Sequence, residues 1–70
     1  MSEIRSEMSA TVWKIEKAVG DTIAPGEVIM ILESMKMEIP IEAEDAGTIT
    51  SLDVAEGDSI EDEQLLAVVD

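Results

Sequence analysis

One lysine, Lys36, is the side chain of this sequence best placed to take part in covalent chemistry. It lies between Met35 and Met37, and within residues 18–70 it is the one cation among fourteen carboxylates. A catalytic lysine needs a pKa lowered by burial or by neighbouring cations, and the surrounding carboxylates act in the opposite sense. An amine that another enzyme acylates needs only exposure, a fixed backbone and recognisable neighbours. The pattern therefore favours a modified lysine over a catalytic one.

The composition offers few other reactive groups. The chain has no Cys and no His, which excludes disulfides, thiolate zinc sites and imidazole proton transfer near neutral pH. Its net charge of -13 opposes binding to nucleic acids and to anionic membrane surfaces. Its apolar runs, such as residues 28–32, are far shorter than a membrane span. We expect a soluble, cytoplasmic protein with no metal and with no nucleic-acid or membrane partner.

The lysine lies between two copies of an internal repeat. A shift of 37 positions lays residues 10–33 over residues 47–70 without a gap. The shift also aligns two turn pairs, Gly20-Asp21 and Gly57-Asp58. Half of so short a chain cannot bury its own apolar face. We therefore expect two similar halves around a shared core, related by an approximate two-fold axis.

Both halves are predicted to be β-structure, because short segments rich in β-branched residues alternate with turn signals at hairpin spacing. The predicted strands are 10–15, 28–32, 39–43, 48–54 and 65–69. Pro40 predicts an edge strand or an outward-facing backbone nitrogen. Val12 and Ile15 are three positions apart and would face opposite sides of a regular strand, so we expect a bulge or a strong twist there.

The turns have their own sequence signals. Gly20 and Gly57 supply positions that tolerate a positive φ, and neither opens a helix, so neither is a phosphate-binding loop. Pro25-Gly26 matches a type II turn. The second half has Asp62-Glu63 at the same place, which predicts a less defined turn.

The chain reverses direction over residues 34–37, between two predicted strands. Four residues in that position make a short hairpin, so Lys36 should project from its end. At least one of the two flanking methionines should be exposed.

The lysine and its neighbours resemble the biotin attachment site of biotinyl domains, the biotin carboxyl carrier modules of biotin-dependent carboxylases. The matching stretch is Glu33, Ser34, Met35, Lys36, Met37 and Glu38. The resemblance covers residues 8–70, including both Gly-Asp turns and the repeat. It implies an all-β fold: a flattened barrel or sandwich of two antiparallel four-stranded sheets with internal pseudo-two-fold symmetry. The lysine would lie on a hairpin at one end, with both termini at the other, and residues 1–7 would form a flexible N-terminal tail.

The resemblance also implies a non-catalytic carrier. Biotin protein ligase would attach biotin to Lys36 as an amide, biotin carboxylase would carboxylate the bound biotin, and a carboxyltransferase would pass the carboxyl group to an acceptor. The sequence departs from the family at residues 8–10, which read Met-Ser-Ala where Met-Pro-Gly is frequent. It also lacks the extra loop that some carriers have before the lysine strand. Because the module usually ends a longer polypeptide, we expect either a free-standing carrier or an excised domain.

Two other interpretations stay open. A lipoyl carrier has the same fold, but its lysine usually follows an Asp and has no methionine pair. An unmodified acidic module that docks on a basic protein would also explain the charge. Glu33 and Glu38 fit either a solubilising role or contact with the ligase, and Trp13, the only aromatic residue, is expected to be a half-buried core residue.

Overall fold

A computed structural model describes residues 2–70, and this part of the chain contains eight β-strands and no helix. The strands are β1 (Ser2–Arg5), β2 (Ala10–Ile15), β3 (Thr22–Ile23), β4 (Val28–Ser34), β5 (Met37–Glu42), β6 (Gly47–Leu52), β7 (Ser59–Ile60) and β8 (Leu65–Val69). The five predicted strands correspond to β2, β4, β5, β6 and β8, with ends that agree to within two residues. The residue pattern did not predict β1, β3 or β7. In the described residues there is accordingly no helix that could cross a membrane.

The strands form two antiparallel four-stranded sheets, as the resemblance implied. One sheet has the order β1-β8-β6-β3 and the other has the order β5-β4-β2-β7. Adding 37 to the residue numbers of β2 and β3 gives β6 and β7, and adding it to those of β1 and β4 gives ranges that overlap β5 and β8, so the repeat converts one sheet into the other. The registers agree as well, since Ser2 pairs with Val69 and its equivalent Ile39 pairs with Leu32. Each sheet contains strands from both halves, so neither half can form a sheet of this kind alone.

The expected bulge is present in both copies of the repeat. The register shifts between Val12 and Lys14, which leaves Trp13 as the extra residue, and Thr50 occupies the same place in β6. A bulge lets residues three apart turn to the same side, so Val12 and Ile15 both pack on the core. The expectation for Trp13 was wrong, because its side chain is 49% exposed at the bulge and lies outside the core cluster.

The N-terminal segment is not a tail. Residues Ser2–Arg5 form β1 and pair with β8, and the buried Ser6 donates its backbone N–H to the Gln64 carbonyl at 2.9 Å. The prediction of a flexible tail over residues 1–7 is corrected for this segment, while Met1 lies outside the described residues. The physical reason is the sheet: Ile4 packs on the core and β1 supplies the edge strand that β5 supplies in the other sheet. The domain therefore begins before the expected boundary at residue 8.

The core lies between the two sheets and follows the repeat. In five equivalent pairs of apolar residues both members are buried: Val12/Ile49, Ile23/Ile60, Ile29/Leu66, Met30/Ala67 and Leu32/Val69. Burial of each large aliphatic side chain contributes about 1.5–3 kcal/mol, so this layer is the main source of stability in a chain without disulfides. The core cluster includes no residue from 33–38, and the hairpin end extends beyond it.

The turn at Asp62-Glu63 is better defined than expected. Glu63 has a φ of 68°, close to the 89° of its equivalent Gly26, and the backbone N–H groups of both residues donate to carbonyls of the other half at 2.7 and 2.8 Å. The tertiary hydrogen bond imposes on Glu63 a conformation that glycine adopts more easily. The two turns therefore have the same backbone form despite their different sequences.

Candidate functional site

Lys36 lies in the two-residue loop that joins β4 to β5. Ser34 pairs with Met37 across these strands, which leaves Met35 and Lys36 as the two loop residues. The predicted hairpin is therefore present, with the lysine at its tip. Glu33 and Glu38 form the next cross-strand pair.

Both loop residues have left-handed backbone conformations. The φ angles are 52° for Met35 and 65° for Lys36, as a type I′ hairpin turn requires. Such turns are usually built from Asn and Gly, and an L-residue with a side chain is disfavoured there by about 1–2 kcal/mol. Within residues 2–70 the only other non-glycine residue with a positive φ is Glu63. Strained residues cluster at functional sites, so this pair marks the tip as a candidate site.

The side chains at the tip are open to solvent. Met35 is 92% exposed and Met37 is 66% exposed, which confirms the expectation that at least one would be accessible. Lys36 is also exposed. The strands below hold the loop in place, since the type I′ turn follows their right-handed twist. The hairpin thus presents three long side chains on a fixed backbone.

The Lys36 amine is not engaged by a carboxylate. The other cations form ion pairs: Arg5 with Glu3 at 3.0 Å, Lys14 with Glu16 at 3.5 Å and Lys17 with Glu27 at 3.0 Å. In the described residues Lys36 forms none, although the exposed Glu33 and Glu38 are close along the chain. Its Nζ atom is therefore accessible to another protein.

Glu33 and Glu38 lie opposite each other at the base of the loop. Like charges in directly opposed positions destabilise a sheet slightly, so the pair does not contribute to the folding of the hairpin. Ser34, the remaining residue of the stretch, is partly buried. The structure thus brings all six residues of the stretch into one hairpin end.

The two Gly-Asp turns have structural roles. Gly20 and Gly57 have φ angles of 96° and 92°, as expected. In each turn the aspartate accepts a backbone N–H at 2.9 Å, from Ala18 to Asp21 and from Ala55 to Asp58. The Gly57-Asp58 turn lies on the side of the molecule that contains the lysine. It immediately precedes Ser59 of β7, which pairs with Thr11 of β2, and Thr11 pairs in turn with Glu33 of β4. Both turns hold the adjoining strands in place, and neither supplies a reactive group.

Another charged contact lies outside the hairpin. The Lys17 side chain hydrogen-bonds to the Glu27 carboxylate and lowers its pKa, and the Ala24 N–H, which donates to the same carboxylate at 2.6 Å, adds to the effect.

In the described residues no group of three or more His, Cys, Asp or Glu side chains is arranged to hold a metal ion.

Sequence reasoning did not find the left-handed backbone at Met35 and Lys36. Neither residue type favours that conformation, so the only available signal was the loop length, because a two-residue hairpin selects a type I′ or II′ turn. A four-residue reversal was predicted instead, since the strand pairing of Ser34 with Met37 was not visible in the sequence.

Comparisons with known proteins agree on the type of domain. The Biotin_lipoyl family model, described as "Biotin-requiring enzyme", matches residues 1–69. A protein from Mycobacterium leprae called "Biotinylated protein TB7.3 homolog" is 42% identical over 67 residues, which cover 96% of this chain and 94% of the relative. The "Biotin/lipoyl attachment protein" of Bacillus subtilis is 40% identical over 60 residues, which cover 86% of this chain and 82% of the relative.

A solved structure shows the same fold inside a much larger protein. The crystal structure of the urea carboxylase from Kluyveromyces lactis superposes with a TM-score of 0.91 and 32% sequence identity. The match covers 97% of this chain and 6% of that one. The domain fold therefore occurs both in short relatives and as a small part of a carboxylase.

Proposed function

The chain belongs to the biotin/lipoyl attachment family, and from that premise we propose that it is a biotin carrier whose cofactor is joined covalently to Lys36. The observation that carries the proposal is the exposed Lys36 amine at the tip of the Met35–Met37 hairpin, which forms no ion pair with any described residue. An amine fits the carboxyl group of biotin because the two condense to an amide.

The residues around the lysine suit an acceptor of this kind. A biotin protein ligase would approach an end of the molecule at which Met35, Lys36 and Met37 are all exposed. The fixed left-handed turn holds the Lys36 backbone in one orientation, while the side chain keeps its four-carbon reach. Formation of the amide removes the positive charge of Lys36. When bound, biotin supplies the ring nitrogen that accepts and releases a carboxyl group.

The chain itself would act by position and not by catalysis. A tether raises the local concentration of the bound group at each enzyme to about the millimolar range. The rigid two-sheet body keeps the attachment point away from the core, so the same arm can reach a biotin carboxylase and then a carboxyltransferase. We also propose that the chain acts in the cytoplasm, where the ATP that biotin attachment uses is available.

The test is acylation in vitro followed by peptide mapping. The chain is incubated with biotin, ATP and a biotin protein ligase, and its intact mass is measured. We expect a gain of one biotin less one water on the peptide that contains Lys36. Lys14 and Lys17 are internal controls because both are held in ion pairs, so a Lys14→Arg variant should accept biotin as the wild type does. Lys36→Arg should accept none, and a modified Lys36→Arg chain would refute the assignment.

A lipoyl carrier is the second candidate, and the name of the Bacillus subtilis relative includes both cofactors. The methionine on the N-terminal side of Lys36 favours biotin over lipoate. Incubation with lipoate, ATP and a lipoate ligase separates the two candidates. Faster acylation by lipoate than by biotin would reverse our choice, and acylation by neither, with the fold intact, would favour the acidic interaction module.

A further inference from the structure

The methionines within residues 2–70 differ widely in exposure, and the two most exposed of them flank Lys36. Met30 is fully buried in β4, Met8 is 37% exposed, and Met35 and Met37 are far more exposed than either. Met1 lies outside the described residues. A thioether sulfur open to solvent reacts with peroxides, whereas a buried one is protected by its neighbours. The tip therefore combines the reactive amine with the two sulfur atoms most open to oxidants.

We propose that Met35 and Met37 form an oxidation site that controls acylation of Lys36. In each event the sulfur lone pair attacks one oxygen of hydrogen peroxide, the O–O bond breaks, a sulfoxide forms and water is released. The sulfur is oxidised by two electrons and the peroxide is reduced by two. A methionine sulfoxide reductase, using thiols as the reductant, restores the thioether. The inference rests on the proposed function, because it concerns the same lysine.

Oxidation at the tip should leave the fold intact. The core cluster contains Met30 but neither Met35 nor Met37. The turn is held by the backbone pairing of Ser34 with Met37, which does not involve a sulfur atom. A sulfoxide oxygen on a solvent-exposed side chain loses no buried contact. The effect of the sulfoxide is therefore limited to contacts between the tip and another protein that binds there.

The effect on a modifying enzyme follows from the composition of the tip. Met35 and Met37 are the two immediate neighbours of Lys36, and the residues beyond them are a serine and two glutamates. The thioether side chains are thus the apolar surface that an enzyme meets beside the amine. Oxidation makes them polar and adds a hydrogen-bond acceptor without changing the net charge. A loss of apolar contact, and not an electrostatic change, would therefore slow acylation.

The first measurement is the order of oxidation. The unacylated chain is treated with limited hydrogen peroxide and each methionine is followed by peptide mapping. We expect Met35 and Met37 to oxidise first, Met8 later and Met30 last, with an unchanged far-ultraviolet circular dichroism spectrum. Oxidation of Met30 as fast as Met35 would overturn the inference, because it would mean that the tip is not selectively reactive.

The second measurement is acylation of the oxidised chain by biotin protein ligase. Because oxidation removes apolar contacts of the two thioethers, we expect kcat/KM to fall by roughly two- to ten-fold. Treatment with a methionine sulfoxide reductase should restore it. An oxidised chain that is acylated at the untreated rate would overturn the inference and leave the proposed function standing. An untreated chain that accepts no biotin would instead count against the proposed function.

Matched variants separate the tip from the rest of the chain. In the Met35→Leu, Met37→Leu double variant, peroxide treatment should leave the rate of Lys36 acylation unchanged, even where that rate differs from the wild-type rate. Met8→Leu, which alters a methionine far from the lysine in sequence, should keep the full sensitivity of the wild type. Equal sensitivity in the double variant would place the reactive group elsewhere and refute the assignment to the hairpin.

Discussion

The two ends of the molecule are equivalent by the internal repeat, yet they are built differently. At one end β4 and β5 are joined through Met35 and Lys36. At the other end the equivalent strands β8 and β1 lie side by side with the same register, where Val69 pairs with Ser2. The sheet pairing is therefore formed equally well with and without the loop. The Met-Lys turn is not what holds the two strands together.

The lysine end also includes features that oppose stability. It has two left-handed residues with side chains and a pair of opposed glutamates, Glu33 and Glu38. Neither feature is needed to bury the core, which ends at Leu32 on this side. A part of the structure that lowers stability without serving the core is expected where function selects the residues. The difference between the ends thus separates residues that serve folding from residues that, in our proposal, serve the acylation of Lys36.

The largest predicted effect tests where the core stops. Leu32→Ala should lower the free energy of unfolding by about 2–5 kcal/mol, because it leaves a cavity between the sheets. Met35→Ala, three residues later, should change it by less than about 0.5 kcal/mol. Urea unfolding of both variants is the measurement. Similar losses in the two would mean that the hairpin end belongs to the core.

The next prediction tests the equivalence of the two halves. Gly20→Val and Gly57→Val should each cost about 1–3 kcal/mol, since valine is strained at a positive φ. No heavy atom lies within 4 Å of a Cβ built at either position, so the cost should come from the backbone and be similar in both. Thermal unfolding compares them. Unchanged stability in either variant would show that its turn does not require a glycine.

A smaller effect of opposite sign tests the strain at the tip. Replacing Met35→Asn and Lys36→Gly together should stabilise the chain by about 1–2 kcal/mol, because Asn-Gly suits a type I′ turn. Acylation should be lost at the same time. Glu63→Gly offers a control at the third non-glycine residue with a positive φ and should stabilise the fold while leaving acylation unchanged. A destabilised Asn-Gly variant would mean that the present turn is not strained.

The smallest effect concerns a contact that the two halves do not share. The Lys17–Glu27 pair lowers the pKa of Glu27 below 4.5. The stabilisation that the pair gives to the fold is therefore present above pH 4.5 and is lost as the pH falls through the lowered pKa. The repeat places Val54 and Gln64 at the equivalent positions, where no charge titrates. Gln64 still accepts the Glu61 N–H at 2.9 Å. Glu27→Gln should therefore remove a shallow acid dependence of stability, measured by urea unfolding between pH 3 and pH 6. An unchanged profile would show that the pair contributes nothing.

Much of this fold was predictable because its signals are repeated. The 37-residue shift predicted the two halves and aligned the glycine turns, and β-branched segments between turn signals predicted the five longer strands. The three-residue spacing of Val12 and Ile15 predicted the bulge. The short strands β1, β3 and β7 were missed because two to four residues show no periodicity of their own, and their pairing with distant strands defines them. Position in the repeat gave Lys36, but its left-handed backbone is imposed by the closure of the hairpin. Trp13 was misplaced because hydrophobicity alone does not show on which side of a bulge a residue lies.

The most direct test of the central claim is the mass of the chain isolated from cells that produce an active biotin protein ligase and an active lipoate ligase together. Peptide mapping then identifies what Lys36 carries when both cofactors are available. We expect one biotin joined as an amide at Lys36 and unmodified Lys14 and Lys17. A lipoyl group on Lys36, or an unmodified Lys36 in a folded chain, would contradict it.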